Sequence, residues 1–208
     1  MQEQLVVPRS PVQAKGLLLA SIRDPNPVIF LEPKILYRSA IEQVPIDDFE
    51  LPLGRAEVLV PGADLTLLTW GTPLYHCETV LSMLAEPPAT LAPLVPEALR
   101  GARIELIDLR TVLPWDIETV MESVQRTGRL VIVHEASRTA GVGAEIAAEV
   151  QSKAFLKLLA PVRRVTAWEY VQCIFYPPAA TSLTKQTHTV PLSGFSSKSS
   201  SYQMLFAF

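Results

Sequence analysis

Short apolar runs alternate with longer stretches of helical spacing over most of the chain. Four of these runs are predicted β-strands because they are brief and rich in aliphatic or β-branched residues: 65–70, 104–107, 130–133 and 162–165. Helical patterns separate them, which favours right-handed crossovers between parallel strands. The pattern therefore predicts an α/β fold with three layers and a mostly parallel sheet.

The connector at residues 116–127 has the clearest helical pattern. Asp116 can cap its first turn, and Gly128 follows its last turn, where a left-handed residue often ends a helix. Four apolar side chains repeat along one stripe: Ile117, Val120, Met121 and Val124. Burial of each contributes about 1.5–3 kcal/mol before the entropy cost is subtracted, so we expect this stripe to pack on the sheet.

A smaller αβ unit precedes this layer. Ser10 can cap a helix that begins at Pro11 and runs to about Arg23, where Asp-Pro-Asn-Pro stops it. Residues 28–31 are all apolar and predict a short strand buried on both faces of a parallel sheet. One αβ unit is too small for a domain, so it is interpreted as a fragment of a second α/β domain.

These patterns divide the chain into four parts. Residues 1–46 hold the αβ unit, and residues 47–62 have prolines, glycines and little periodicity, which indicates a linker. Residues 63–168 form the main α/β domain, in which the proline-rich stretch 87–101 is interpreted as a surface excursion. Residues 169–208, with six serines among the nine residues from 193 to 201, are interpreted as a flexible tail.

Charge and composition exclude several classes of protein. The formal net charge is −3, with acids and bases spread along the chain, so no clustered basic surface for nucleic acid is expected. Cys77 and Cys173 lack the spacing of a zinc site or a disulfide framework. No uncharged apolar run approaches the roughly 18 residues that a membrane span needs, and the N-terminus lacks the character of a transit peptide. No membrane partner is expected.

The turn after the first predicted helix contains oxygen donors. Asp24, Asn26 and the backbone carbonyl of Ser21 lie within six residues, where the helix dipole leaves partial negative charge. Hard cations bind such groups of oxygens. The alternative is an Asx-type turn between helix and strand, which needs no ion.

Two further motifs have structural interpretations. Gly141-Val142-Gly143 precedes a helix, but Ile146 occupies the position where a dinucleotide-binding loop needs glycine or alanine. A glycine-rich turn that lets the following helix pack on the sheet is favoured instead. His134 and Glu135 end a predicted strand, where a polar interface role or a hydrogen-bonded structural pair is expected.

Three sequence segments resemble one family. Pro-Arg-Ser-Pro at 8–11, Glu-Pro-Lys-Ile-Leu-Tyr-Arg at 32–38 and His-Glu-Ala at 134–136 resemble the β subunit of the branched-chain 2-oxoacid dehydrogenase. The resemblance extends over about residues 6–166 and is broken by the proline-rich stretch. It implies the end of a pyrimidine-binding domain followed by a transketolase-type C-terminal domain. The pyruvate dehydrogenase β subunit is the nearest alternative.

The resemblance implies a thiamine-diphosphate-dependent enzyme. Such an enzyme decarboxylates the 2-oxo acids from valine, leucine and isoleucine and transfers the acyl group to a lipoyl arm, as a 3-methyl-2-oxobutanoate dehydrogenase. In the family the α subunit contacts Mg²⁺ and the diphosphate, and the β subunit supplies a glutamate and a histidine. The pattern that carries these two residues precedes Met1, so no catalytic or cofactor-binding residue is assigned. A structural K⁺ is implied at Ser21, Asp24 and Asn26, with its remaining ligands on an upstream loop.

Two functional hypotheses follow from the resemblance. The first is that the chain is part of the decarboxylase component and is inactive alone. Its expected partners are an α subunit and a second β subunit in a heterotetramer, together with a dihydrolipoyl acyltransferase core. Its expected location is the mitochondrial matrix. The second is a catalytically silent dimerisation or interaction module. Its basis is the nearly complete set of strands in residues 63–168 beside the absent site residues.

Overall fold

The computed structural model describes residues 3–93 and 95–167. Its strands, in chain order, are β1 (Gln4–Val6), β2 (Val28–Phe30), β3 (Glu57–Val60), β4 (Leu65–Thr69), β5 (Ile104–Asp108), β6 (Thr111–Leu113), β7 (Leu130–Ser137) and β8 (Arg163–Ala167). Its α-helices are α1 (Pro11–Arg23), α2 (Leu36–Ser39), α3 (Pro73–Ala85), α4 (Ile117–Thr127) and α5 (Val142–Ala154). Short 3-10 turns occur at Glu97–Leu99 and Phe155–Lys157.

The main sheet has five strands in the order β3-β5-β4-β7-β8. β4 lies at its centre and pairs in parallel with β5 and β7, and β8 pairs in parallel with β7. Only β3, among these five, is antiparallel to its neighbour. The four strands predicted from the sequence are therefore present, and the mostly parallel sheet is confirmed.

The first strand of this sheet was not predicted. β3 pairs with β5 from within residues 47–62, which the sequence pattern indicated to be a linker. Its residues alternate between half-buried and exposed because β3 is an edge strand. β3 has only four residues and lies between turns that contain glycine and proline. Such a short segment gives too little periodicity to distinguish a strand from a loop.

Helices cover both faces of the main sheet. Leu67 of β4 packs with α3 residues on one face, and its neighbour Leu68 packs with α4 and α5 residues on the other, because successive strand side chains point to opposite faces. The first core cluster also includes Cys77, Val80, Leu84, Leu106 and Val131, and the second includes Val120, Val124, Ile132, Ile146 and Val150. The three-layer prediction is confirmed.

Helix α4 has the boundaries that its sequence predicts. Oδ1 of Asp116 accepts a hydrogen bond of 3.1 Å from the backbone N–H of Thr119, which satisfies a free donor of the first turn. Gly128 ends the helix in the left-handed conformation, with φ of 68°. Val120, Met121 and Val124 are buried and Ile117 is partly buried, so the predicted stripe faces the core.

The proline-rich stretch is more than a surface excursion. Leu91 and Val95 are buried and belong to the same core cluster as Cys77 of α3. The prediction for residues 87–101 is therefore wrong at these two positions. The prolines turn the chain, and Leu91 and Val95 between them insert their side chains into the core. Burial of each of these side chains is favourable.

The N-terminal unit forms a second sheet of three strands in the order β2-β1-β6. β1 and β2 are parallel, and β6, which follows β5 in the main domain, is antiparallel to β1. Helix α1 begins at Pro11, with the Ser10 hydroxyl accepting from the Gln13 N–H, and ends at Arg23, as predicted. The prediction that β2 is buried on both faces is wrong, since Ile29 is 53% exposed. β2 is an edge strand and one face of its sheet is open.

The predicted flexible tail at residues 169–208 and Cys173 lie outside the described residues. Within the described ranges, no helix has both the length and the apolar character needed to cross a bilayer.

Candidate functional site

The three residues predicted to bind a cation lie at the end of α1. Oδ1 of Asp24 accepts hydrogen bonds from the backbone N–H of Asn26, at 2.8 Å, and from its side-chain Nδ2, at 3.0 Å. The Ser21 hydroxyl instead donates to the carbonyl of Leu17, at 2.7 Å. The structure thus joins Asp24 and Asn26 in an Asx-type turn and directs the Ser21 hydroxyl along its own helix, so Ser21 can contribute only its carbonyl to this turn.

This turn keeps a negative charge. The backbone N–H of Asn26, with smaller contributions from the side chains of Gln4 and Asn26, lowers the pKa of Asp24 below its usual range. An anionic oxygen beside a helix C-terminus attracts cations. No group of three or more His, Cys, Asp or Glu side chains in residues 3–93 and 95–167 could hold a metal ion. This turn therefore offers one carboxylate and neighbouring amide or carbonyl oxygens.

A second candidate site lies where the connections of the main sheet diverge. After β4 the chain crosses to β5 on one side, and after β7 it crosses to β8 on the other. In open α/β sheets, ligands commonly bind at this switch point, outside the carboxyl ends of the strands. Trp70 follows β4 and His134 belongs to β7, and their rings stack with centroids 5.5 Å apart and planes inclined by 10°.

Two glycines allow α5 to approach His134 closely. A Cβ atom added at Gly143 would lie 2.4 Å from His134 Nε2, and one added at Gly141 would lie 2.8 Å from its Cε1. No side chain fits in either space. The predicted packing role of the glycine-rich turn is therefore confirmed: His134 requires glycine at 143, and the Ser137 carbonyl oxygen together with His134 requires it at 141.

His134 is 1% exposed. Its burial, together with the charge of Arg164, lowers its pKa to about 4, although the backbone of Ala136 partly opposes the shift. Neither ring nitrogen reaches hydrogen-bond geometry with any group in the described part of the chain. The expected hydrogen-bonded pair with Glu135 is therefore wrong, because adjacent strand residues face opposite sides of the sheet. At neutral pH the ring is uncharged and acts as a packed, stacked side chain.

A buried ionic cluster joins the N-terminal unit to the main domain. Arg9 Nε lies 2.9 Å from Oδ2 of Asp108, and Arg9 Nη2 lies 3.2 Å from Oε2 of Glu57. Gln13 Nε2 donates to the same Asp108 oxygen at 3.0 Å, and the backbone N–H of Arg110 donates to its other oxygen at 3.2 Å. The Asp108 side chain is fully buried, so this cluster fixes β1 and α1 against the end of β5.

The electrostatics of this cluster favour a structural role. Burial raises the pKa of Asp108, whereas Gln13 and Arg9 oppose the shift by stabilising the carboxylate. The Tyr75 hydroxyl of α3 also donates to the carbonyl of Arg9, at 2.7 Å. The sequence analysis missed the cluster, because its members lie on β3, β5, α1, α3 and the first loop, with no local spacing that relates them.

Cys77 is not a reactive thiol. It lies on α3 and is buried in the first core cluster, and this burial raises the pKa of the thiol to about 12. A nucleophilic cysteine requires the thiolate, so the structure gives Cys77 a packing role.

Comparison with known proteins is consistent with this architecture. Residues 54–185 match the sequence family described as the transketolase C-terminal domain. The chain therefore belongs to the transketolase C-terminal domain family. A solved structure described as "Split gene transketolase, inactive beta4 tetramer" has a similar fold, with a TM-score of 0.62 and 24% identity, over 81% of this chain and 49% of that one.

Within that family, the sequence is similar to branched-chain 2-oxoacid dehydrogenase β subunits. It is 51% identical to the mitochondrial 2-oxoisovalerate dehydrogenase subunit beta of Chaetomium thermophilum, over 79% of this chain and 33% of the relative. It is 52% identical to the corresponding subunit beta 2 of Arabidopsis thaliana, over 78% of this chain and 42% of the relative. Identity to the pyruvate dehydrogenase E1 component subunit beta of Acholeplasma laidlawii is 42%, over 77% of this chain and 45% of the relative. The chain spans less than half the length of each of these relatives.

Proposed function

We propose that this chain forms part of the β subunit of a branched-chain 2-oxoacid dehydrogenase, the component that decarboxylates 2-oxo acids with thiamine diphosphate. The observation that carries the proposal is its identity of 51% and 52% to 2-oxoisovalerate dehydrogenase β subunits, against 42% to a pyruvate dehydrogenase β subunit, over similar lengths. The mitochondrial names of the first two relatives support a location in the mitochondrial matrix.

The residues of this chain have a scaffolding role in the proposal. The Arg9–Asp108 cluster holds the N-terminal unit on the main domain, and Trp70 and His134 stack at the carboxyl edge of the sheet. When bound to the assembled enzyme, thiamine diphosphate supplies the carbanion chemistry. We assign no catalytic residue to this chain, and we expect the α subunit to hold Mg²⁺.

The turn at Asp24 is proposed as half of a K⁺ site. Asp24 is kept ionised by its hydrogen bonds, and Asn26 and the Ser21 carbonyl add neutral oxygens near the end of α1. One charge with several neutral oxygens suits a monovalent ion more than Zn²⁺, which prefers nitrogen and sulfur ligands. The remaining ligands would come from elsewhere in the β subunit.

The proposed partners are an α subunit and a second β subunit in a heterotetramer, together with a dihydrolipoyl acyltransferase core. The test is co-expression of the tagged chain with the α subunit of a branched-chain enzyme, alone or with its intact β subunit. We expect the chain to be recovered with the α subunit or with the intact β subunit. A folded, monodisperse monomer that binds neither would contradict the proposal.

Activity assays distinguish the substrate class. The purified chain alone is expected to show no decarboxylation with thiamine diphosphate and Mg²⁺. Turnover of 3-methyl-2-oxobutanoate by the chain plus α subunit, absent from the α subunit alone, would show that catalytic groups are present and that their assignment to other polypeptides is wrong. A preference for pyruvate in that mixture would favour the pyruvate dehydrogenase alternative.

A catalytically silent interaction module is the second candidate. It is supported by the five-stranded sheet, which buries a core on each face. If the chain replaces one intact β subunit in the complex and lowers turnover in proportion to its incorporation, this second candidate is favoured. Incorporation with full turnover would count against it.

A further inference from the structure

The segment that connects the N-terminal unit to the main domain runs along helix α1. The backbone N–H of Val12, near the start of the helix, donates to Oε2 of Glu42 at 3.0 Å. Further along the helix, Lys15 Nζ donates to the three consecutive carbonyls of residues 45–47, at 2.5, 3.0 and 2.9 Å. The connecting segment is therefore tied to the helix at several points, and we call residues 42–51 the strap.

The end of the strap also packs closely on the helix. The backbone N–H of Leu51 donates to the carbonyl of Gly16 at 3.2 Å. A Cβ atom added at Gly16 would lie 2.7 Å from the Phe49 ring and 2.8 Å from Leu51 Cγ, so no side chain fits between the helix and the strap. Residues 48–50 are therefore fixed at both ends, by the Lys15 ammonium on one side and by Gly16 on the other.

Two carboxylates of the strap bind the guanidinium of Arg23, the last residue of α1. Nη2 of Arg23 donates to Oδ2 of Asp48 at 2.7 Å, and Nη1 donates to Oε1 of Glu50. A single exposed ion pair contributes little to stability, because ordering two long side chains costs entropy. Here the backbone on each side of both acids is already fixed, which reduces that cost, and two carboxylates share one cation. The guanidinium is therefore held on the strap.

The carboxylate of the cation turn belongs to Asp24, the residue that follows Arg23. Its Oδ1 accepts hydrogen bonds from Asn26, and no basic side chain in residues 3–93 and 95–167 forms an ion pair with it. Consecutive Cα atoms are only about 3.8 Å apart, so a guanidinium released from the strap could reach this carboxylate. Arginine binds carboxylates well, often through two hydrogen bonds. A released Arg23 would therefore compete with a cation for Asp24.

We propose that Asp48 and Glu50 are positioning residues for the cation turn. They hold Arg23 on the strap, so the Asp24 carboxylate stays available to a monovalent cation. These four side chains, one base and three acids, carry a formal net charge of −2, which attracts a cation to this end of α1. The proposal rests on the K⁺ half-site of the proposed function and extends it to residues that are not ligands.

The test measures K⁺ binding to the full, isotopically labelled chain of 208 residues by nuclear magnetic resonance. K⁺ replaces choline at constant ionic strength, so that the screening of surface charges does not change. The reporter is the backbone N–H of Asn26, which donates to Asp24. Because a half-site binds weakly, the affinity is taken from the change of this resonance with K⁺ concentration.

The strap variant combines Asp48→Asn with Glu50→Gln. We expect it to bind K⁺ about threefold more weakly than the wild type, because Arg23 then competes with the cation. Adding Arg23→Gln removes the competitor and should restore the wild-type affinity. The matched control combines Asp64→Asn with Glu118→Gln, which removes two carboxylates from exposed arginine pairs elsewhere on the protein. It should bind K⁺ as the wild type does.

Equal affinity of the strap variant and the wild type for K⁺ would overturn the proposal. If Arg23→Gln failed to restore the affinity, the loss would come from the structure of the strap, which would also overturn it. Absence of a K⁺-specific change in the wild type would overturn the half-site and this proposal together. Thermal melts identify a variant that has failed to fold; the single strap variants, which keep one carboxylate on Arg23, then provide the comparison and should have intermediate affinities. Because no α subunit or substrate is present, these outcomes are separate from the co-expression test of the proposed function.

Discussion

Arg9 Nε lies 2.9 Å from Oδ2 of Asp108, and this contact joins the loop after β1 to the last residue of β5. The Asp108 side chain is fully buried and that of Arg9 is 19% exposed. Removal of one partner leaves the other charge poorly solvated, which typically costs about 3–5 kcal/mol. The stability of the N-terminal unit on the main domain therefore depends on this pair.

Asp108→Asn should lower the free energy of unfolding by about 2–4 kcal/mol, since it removes the charge that faces Arg9 while its shape is kept. The measurement is denaturant unfolding followed by circular dichroism. Asp64→Asn is the control. Asp64 pairs with Arg103 at 3.2 Å on the surface, and an exposed pair contributes at most about 1 kcal/mol. Equal losses in the two variants would contradict a special role for the Arg9–Asp108 pair.

Gly143→Ala should destabilise the fold by about 1–3 kcal/mol, because the added Cβ would overlap the His134 ring and force α5 away from β7. Gly101→Ala is the matched control, since an added Cβ there meets nothing within 4 Å. Thermal melts of both variants provide the comparison. The double variant Gly143→Ala with His134→Ala should lose less stability than the sum of the single variants; additive losses would show that the two residues do not interact.

The contribution of His134 to the stability of the protein should fall as the pH is lowered from 7 towards 4. Burial lowers the pKa of His134 to about 4 in the folded chain, whereas the unfolded chain has the ordinary value of 6.5. Between these values the unfolded chain binds more protons, so protonation favours unfolding, by up to roughly 3 kcal/mol. His134→Phe keeps a ring against Trp70 and should flatten the dependence. Unfolding free energies at several pH values test this, and an unchanged slope would contradict it.

The assembled complex should melt at a higher temperature in KCl than in choline chloride if Asp24 contributes to a K⁺ site. Asp24→Asn should reduce that difference, because the neutral amide loses the charge that attracts the ion. The difference between the two salts is the readout, since loss of the turn itself affects both equally. Asp47→Asn, an exposed aspartate of the same segment, should keep the full difference. A salt effect that is unchanged in Asp24→Asn would place the ion elsewhere.

Local sequence patterns predicted the elements whose signals are local. The Ser10 cap and Pro11 fixed the start of α1, and Asp116 with Gly128 bounded α4. The four parallel strands were recognisable because strands buried in a parallel sheet are mostly continuous apolar runs.

Features that depend on distant contacts were missed. β1, β3 and β6 have three or four residues each, so they exist only through their pairing with other strands. The burial of Leu91 and Val95 depends on α3, and the ionic cluster depends on β3, β5 and the first loop meeting. The exposure of Ile29 is a property of tertiary packing, since residues 28–31 have the composition of a buried strand.

The N-terminal unit and the main domain share a sheet as well as a polypeptide connection. β1 pairs with β6, the Val7 N–H donates to the Arg110 carbonyl at 2.8 Å, and Arg9 contacts Asp108. In the connecting segment Ile41 is 95% and Ile46 98% exposed, so we expect proteases to cut there. A nick there should yield two bands on a denaturing gel and one particle in gel filtration, since the backbone link is dispensable for holding the halves together once they have folded.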